Sequence, residues 1–198
     1  MKVVDEKAIL ELVKRGERII FIKDALLTPA ARDLIHRHRL TIIPEDPTYA
    51  AARMPVRSVA IGADHGGFEL KGYLIERLKA KEVQVVDLGT YSAEAVDYPD
   101  FAYEVARQVA EGKVDRGVMI DSIGVASAMV SNKLRGVRAA PCWSVAVARS
   151  ARSHNDANLI TLGGKILSPE PAWEILKVFL EEPFSGGRHE KRVRKIEA

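Results

Sequence analysis

Residues 58–81 read SVAIGADHGGFELKGYLIERLKAK, and this stretch decides the fold. Val59-Ala60-Ile61-Gly62 is a short β-rich run, Asp64-His65-Gly66-Gly67 breaks it, and a helical pattern carries on from Glu69 to Lys81. Strand, polar turn and helix in that order make one βα unit. Toward the C-terminus the unit recurs, with strands predicted at Val83–Leu88, Gly117–Ile120, Val137–Ala140 and Leu159–Leu162. Helices are predicted at Asp100–Glu111, Val125–Lys133, Val145–Ser153 and Pro169–Glu181.

Five strands, each followed by a helix, predict an α/β fold: a doubly wound, Rossmann-like parallel sheet of five strands with helices on both faces. Ligands of such sheets sit beyond the carboxyl ends of the strands. Those ends are Asp64-His65, Gly89-Thr90, Asp121-Ser122, Pro141-Cys142 and Gly163-Gly164.

Toward the N-terminus the pattern changes. An amphipathic helix through Ala8–Val13 precedes the apolar run Ile19–Ile22. A second helix opens at Thr28-Pro29, a hydroxyl N-cap followed by proline at the first helical position, and Leu40–Ile43 reads as a strand. This is a small α/β extension. The proline-bearing segment Pro44–Pro55 reads as a linker, so the expected division is 1–57 and 58–198. No internal repeat is evident.

The composition excludes several classes. With 198 residues, 47% hydrophobic and 29% charged, the chain is neither disordered nor of low complexity. No apolar run is long enough for a membrane span or a secretion signal, and a lone Cys142 excludes an internal disulfide and a cysteine-rich metal cluster. A cytoplasmic protein with no metal is expected. The net charge of +3 lies in the tail from Gly186 onward, so the basic pI is not a nucleic-acid-binding face.

Several constellations carry candidate chemistry. Asp64 and His65 stand at a strand end before a helix, but the G-x-G-x-x-G fingerprint of a nucleotide-dependent oxidoreductase is absent. An acid and an imidazole there suit a phosphorylated substrate. In Asp121-Ser122-Ile123-Gly124-Val125-Ala126-Ser127 the small residues let amides such as that of Gly124 point toward a bound oxyanion, with Asp121 at the edge. His154 is flanked by Asn155 and Asp156. A helix opening near Arg188 would aim Arg188 and Arg192, four residues apart, in one direction as a phosphate clamp. Each of these also has a plain reading as a cap, a turn or a solvated basic face.

In this order the motifs resemble the ribose-5-phosphate isomerase B family, which includes the galactose-6-phosphate isomerase subunits. The matching stretches are Gly62–Lys71, Asp97-Tyr98-Pro99, Ser131-Asn132-Lys133 with Gly136–Ala139, His154–Asn158, and Gly187-Arg188-His189 with Arg192-Val193. The resemblance implies a cofactor-free aldose-ketose isomerase working through an enediolate, with sites shared across a homodimer or a dimer of dimers. It implies that His154 assists ring opening and that Asn155 and Asp64 hold sugar hydroxyls. His65, Arg188 and Arg192 hold the phosphate, Tyr98 lines the pocket, and Lys165 stands where members often carry arginine. A shorter match around Leu27–Asp33 is similar to segments of bacterial microcompartment enzymes and implies a docking role for the extension.

The family's proton-abstracting position is where this chain departs. Many members have a cysteine followed by Gly-Thr-Gly-x-Gly, and here that cysteine position is Asp121. Others use a glutamate at the position of Ser127. Two expectations follow. Asp121 is the base if desolvation raises its pKa toward neutrality. Otherwise the chain is a catalytically altered sugar-phosphate binder or scaffold.

Overall fold

A computed structural model of the protein describes residues 2–14, 19–22, 25–44 and 56–197. The chain divides into two compact units, Met1–Met54 and Pro55–Ala198.

The second unit is the predicted α/β sheet. Its strands are β5 (Ser58–Ala63), β6 (Gln84–Asp87), β7 (Arg116–Asp121), β8 (Ala139–Pro141) and β9 (Leu159–Gly163). Its helices are α3 (Phe68–Ala80), α4 (Tyr98–Ala110), α5 (Val125–Ser131), α6 (Val145–Asn155) and α7 (Pro169–Glu181), followed by a 3-10 turn (Gly187–His189) and α8 (Glu190–Ile196). The strand order is β6-β5-β7-β9-β8 and every pairing is parallel.

Alternation along the strands sends side chains to two cores. Val59, Ile61, Val118, Ile120, Ile160 and Leu162 belong to one, which also holds Leu74, Leu78, Leu176 and Phe179 from α3 and α7. Ala60, Met119 and Leu159 belong to the other, with Ala102, Val105 and Ala106 from α4. The central strands are thus apolar on both faces, as crossover helices require. Each fully buried large side chain such as Phe179 contributes about 1.5–3 kcal/mol.

The first unit holds β1 (Lys2–Val4), α1 (Glu6–Lys14), β2 (Ile19–Ile22), β3 (Ala25–Leu27), α2 (Pro29–Arg37) and β4 (Thr41–Pro44). The predicted helices, the strand at Ile19–Ile22 and the Thr28 cap are present, with Thr28 Oγ1 accepting from the Ala31 amide at 3.2 Å. The absence of a repeat does not hold here. A strand-helix-strand unit occurs twice, pairing β1 with β3 and β2 with β4, both in parallel. Asp5 caps α1 as Thr28 caps α2, its Oδ1 accepting from the Ala8 amide at 3.0 Å. The two copies share cap geometry and few residue types, which is why the repeat is silent in the sequence. Ile9, Ala31, Leu34, Ile35 and Leu40 form their common core. Of the expected linker only Pro44 is described, as the last residue of β4; residues 45–55 lie outside the described residues.

Candidate active site

Three loops meet where β5, β7 and β9 end. Asp64 is buried, and its Oδ1 accepts from the amides of Gly66 at 2.8 Å and Gly67 at 3.1 Å. Its other oxygen accepts nothing among the described residues. The turn after β9 is strapped to the loop after β7, because the Gly164 amide donates to the Asp121 carbonyl at 2.7 Å and the Lys165 amide to the Ser122 carbonyl at 3.1 Å. Gly164 also presses on the first loop: a Cβ there would lie 2.4 Å from the Gly66 carbonyl oxygen. Backbone meets backbone at that point, and only glycine fits.

This ledge borders a pocket of about 380 Å³ lined by His65, Gly66, Glu69, Ala93, Gly164 and Lys165. His65 is exposed, and its Nδ1 accepts a long bond, 3.4 Å, from the Val96 amide. That bond selects the tautomer with the proton on Nε2, a donor suited to an anion. Ser122 is half-buried, and its hydroxyl has no partner among the described residues. Its Oγ and Asp64 Oδ1 lie 2.5 and 3.2 Å from the point where Gly66 would carry a Cβ, so hydroxyl and carboxylate flank one spot. Tyr98 opens α4 and packs against the second core; it does not line this pocket.

Asp121 departs from expectation. It is 4% exposed, and four donors converge on its carboxylate. Oδ1 accepts from the amides of Ile123, at 2.8 Å, and Gly124; Oδ2 accepts from the Ser127 amide, at 2.9 Å, and the Ser127 hydroxyl. Burial pushes its pKa up, but the bonds from the Ser127 side chain and from the amides of Gly124, Ser127 and Ile123 outweigh burial and hold it below the ordinary carboxylate value. The expected upward shift is therefore corrected, because desolvation acts here together with saturated hydrogen bonding. Gly124 is corrected too. Its amide serves Asp121, its carbonyl accepts from Thr161 Oγ1, and it is left-handed at φ 88°, so it offers no N–H to a substrate. Cys142 is no substitute base, since burial alone pushes its thiol up to about 12.

The remaining candidates lie at the other end of the sheet. His154 and Asn155 end α6, and the Asn158 carbonyl beyond them accepts from the Gly117 amide near the start of β7. Asp121 pairs with Gly163 at the opposite end, so β9's five residues, roughly 16 Å at about 3.3 Å each, separate the two groups. Arg188 and Arg192 do not share one helix: Arg188 lies in the 3-10 turn and α8 starts at Glu190. Both are exposed beside His189, whose ring stacks on His154 with centroids 4.4 Å apart. Burial first, then His154, Arg188 and Arg192, push His189 below the ordinary imidazole value.

His189 was not singled out from sequence, nor were the arginines that hold the turn after His154. Arg152, 1% exposed, donates to Asp156 Oδ1 at 2.7 Å and to the Ala157 carbonyl at 2.6 Å, while Arg138 bonds Asp156 Oδ2 at 3.0 Å. These bonds fix the turn that ends α6. The i, i+4 spacing of Arg152 and Asp156 was its one readable signal.

Fold and loops define an α/β protein with a candidate site at the carboxyl edge of its sheet. The chain belongs to the Ribose/Galactose Isomerase family, whose model matches residues 59–196. It is 39% identical over 144 residues to a putative sugar phosphate isomerase of Rickettsia bellii, covering 73% of this chain and 100% of that protein. Against ribose-5-phosphate isomerase B of Escherichia coli it is 39% identical, covering 72% of this chain and 96% of the relative. Among solved structures, the ribose 5-phosphate isomerase of Thermotoga maritima superposes with a TM-score of 0.69 at 44% identity, over 71% of this chain and 97% of that one. The Mycoplasma genitalium ribose-5-phosphate isomerase B with bound ribulose-5-phosphate gives 0.69 at 39% identity, over 71% and 93%.

Proposed function

We propose that this protein is an aldose-ketose isomerase of a sugar phosphate, converting ribose 5-phosphate or a close relative to its ketose, and that two chains complete each site. The observation that carries the reading is the division of the candidate residues between the two ends of one sheet. Helix α5 runs from the loop after β7 toward the opposite end, with Val125 and Met129, one turn apart, exposed. A second α5, antiparallel across a two-fold axis, covers that face and sets one chain's ledge against the other's basic patch. A cavity of about 710 Å³ beside Asn155, lined by Asn132, Lys133, Arg138 and Glu197 among others, leaves room for the incoming loop.

In that assembly His65 and Lys165 of one chain meet Arg188 and Arg192 of the other around the phosphate. Asp64 and Asn155 hold sugar hydroxyls, and His154 assists ring opening. The carbonyl shift moves a proton from C2 to C1 through an enediolate and consumes no oxidant or cofactor. Incubation with ribose 5-phosphate in heavy water tests this: ketose carrying deuterium at C1 is expected and, through the reverse reaction, deuterium at C2 of the remaining ribose 5-phosphate.

The saturated carboxylate of Asp121 favours a second reading, a binder without catalysis. Retained phosphate binding with no exchange on any pentose or hexose phosphate is its signature. The N-terminal unit is a docking element in either case, with a microcompartment component as the proposed partner. Its Val3 and Leu26, paired across β1 and β3, are both exposed apolar residues. Deleting residues 1–57 should leave isomerisation intact and abolish co-purification with that component.

A further inference from the structure

If a carboxylate took the C2 proton, Asp121 would need a lone pair aimed at carbon and a face open to the sugar. It has neither. Each oxygen already accepts two donors, and the side chain is 4% exposed. We infer that Asp121 is a positioning residue for the isomerisation, clamping residues 122–127 so that Ser122 and Lys165 face the sugar phosphate, and that it does not itself take the C2 proton. This rests on the isomerase reading proposed above.

The clamp has a physical necessity. Apart from Gly124, which takes a left-handed φ of 88°, every residue from Ser122 to Ser127 carries a Cβ, so one glycine alone does not shape this loop. Its shape comes from amides of Ile123, Gly124 and Ser127 turned toward one anion, a backbone nest filled from within. Without the carboxylate those donors lose their acceptor in a buried place, and the loop must rearrange to satisfy them. The rearrangement would spread. The Asp121 carbonyl holds the Gly164 amide and the Ser122 carbonyl holds the Lys165 amide, so the clamp also sets the cation beside His65. Ser127 touches Asp121 directly, and its hydroxyl is spent as a donor to the clamp.

Asn and Ala at position 121 separate clamp from base. An asparagine keeps one oxygen for the Ile123 and Gly124 amides and turns its NH₂ to the Ser127 hydroxyl, leaving the Ser127 amide without its acceptor, so Asp121→Asn keeps the Ile123–Gly124 half of the clamp but no base. The full-length variants Asp121→Asn, Asp121→Ala and Ser127→Ala are compared for ribose 5-phosphate turnover, C2 exchange in heavy water, the pH profile of kcat/KM, and binding of inorganic phosphate. Asp121→Asn and Ser127→Ala should each retain kcat/KM within about tenfold with the acid limb unmoved, while Asp121→Ala should fall by about a hundredfold or more, chiefly through KM. The inference is overturned if Asp121→Asn loses a thousandfold or more in kcat at unchanged KM, or if an acid limb in the carboxylate range disappears with it. Should wild type exchange no pentose or hexose phosphate, the isomerase reading fails by itself. Phosphate binding then decides the clamp: weakening by Asp121→Ala and not by Asp121→Asn supports it, and equal affinity sinks it.

Discussion

At the scale of single residues the ledge depends on one charge and one missing side chain. The hydrogen-bonded Asp121 titrates below its ordinary value, so its share of stability is fully present above about pH 4 and disappears as the pH falls through the lowered value. Asp121→Asn should cost about 1–2 kcal/mol at pH 7. Urea unfolding at pH 7, 5 and 3 should show the gap to wild type shrinking only at the lowest pH. A constant gap would mean the charge is not what the amides recognise. Gly164 supplies the missing side chain. A Cβ there would meet the Gly66 oxygen at 2.4 Å and the Gly67 Cα at 2.8 Å, and neither is a flexible tip that can turn aside. Gly164→Ala should cost about 1–3 kcal/mol and weaken phosphate binding, both measurable by thermal shift with and without inorganic phosphate. Neither effect was legible from residue types. Asp121 reads as a candidate base until the directions of three amides are known, and those directions belong to backbone conformation.

At the scale of elements the alternation of strands and helices was legible because parallel strands buried on both faces leave long apolar runs. The exceptions have local causes. β8 falls at Ala139–Pro141 and not at Val137–Ala140, because the Val137 amide closes a turn on the Leu134 carbonyl and Pro141 is tolerated on an edge strand. β1 and β3, three residues each, are too short to carry a period. The insertion of β9 between β7 and β8 is a matter of crossover, which no local pattern encodes. α5 is the element on which the proposed dimer rests. It buries Ser127, Ala128 and Ser131 on one side and leaves Val125 and Met129 at 44% and 63% exposure on the other. Met129→Glu should therefore leave the far-ultraviolet circular dichroism unchanged while sedimentation shows a monomer and isomerisation is lost. A dimer that survives this substitution places the two-fold axis elsewhere.

At the scale of the whole molecule, the separation of Asp64 and His65 from His154, Asn155, Arg188 and Arg192 makes a claim that mixing can test. Take one chain carrying His65→Ala and another carrying Arg188→Ala, each inactive alone because every site in its homodimer has one lesion. In a mixed dimer the two lesions fall in the same shared site, and the other site joins an intact ledge to an intact basic patch. Random reassortment makes about half the dimers mixed, so about one quarter of all sites regain wild-type composition. Activity should rise from background toward that fraction when the two variants are unfolded and refolded together, and should not rise when they are combined without exchange of subunits. If each site were built within one chain, every site in the mixture would keep a lesion and no activity would return. The sequence alone could order these residues but not divide them, because the division follows from α6 carrying His154 back to the end of the sheet from which β9 departs.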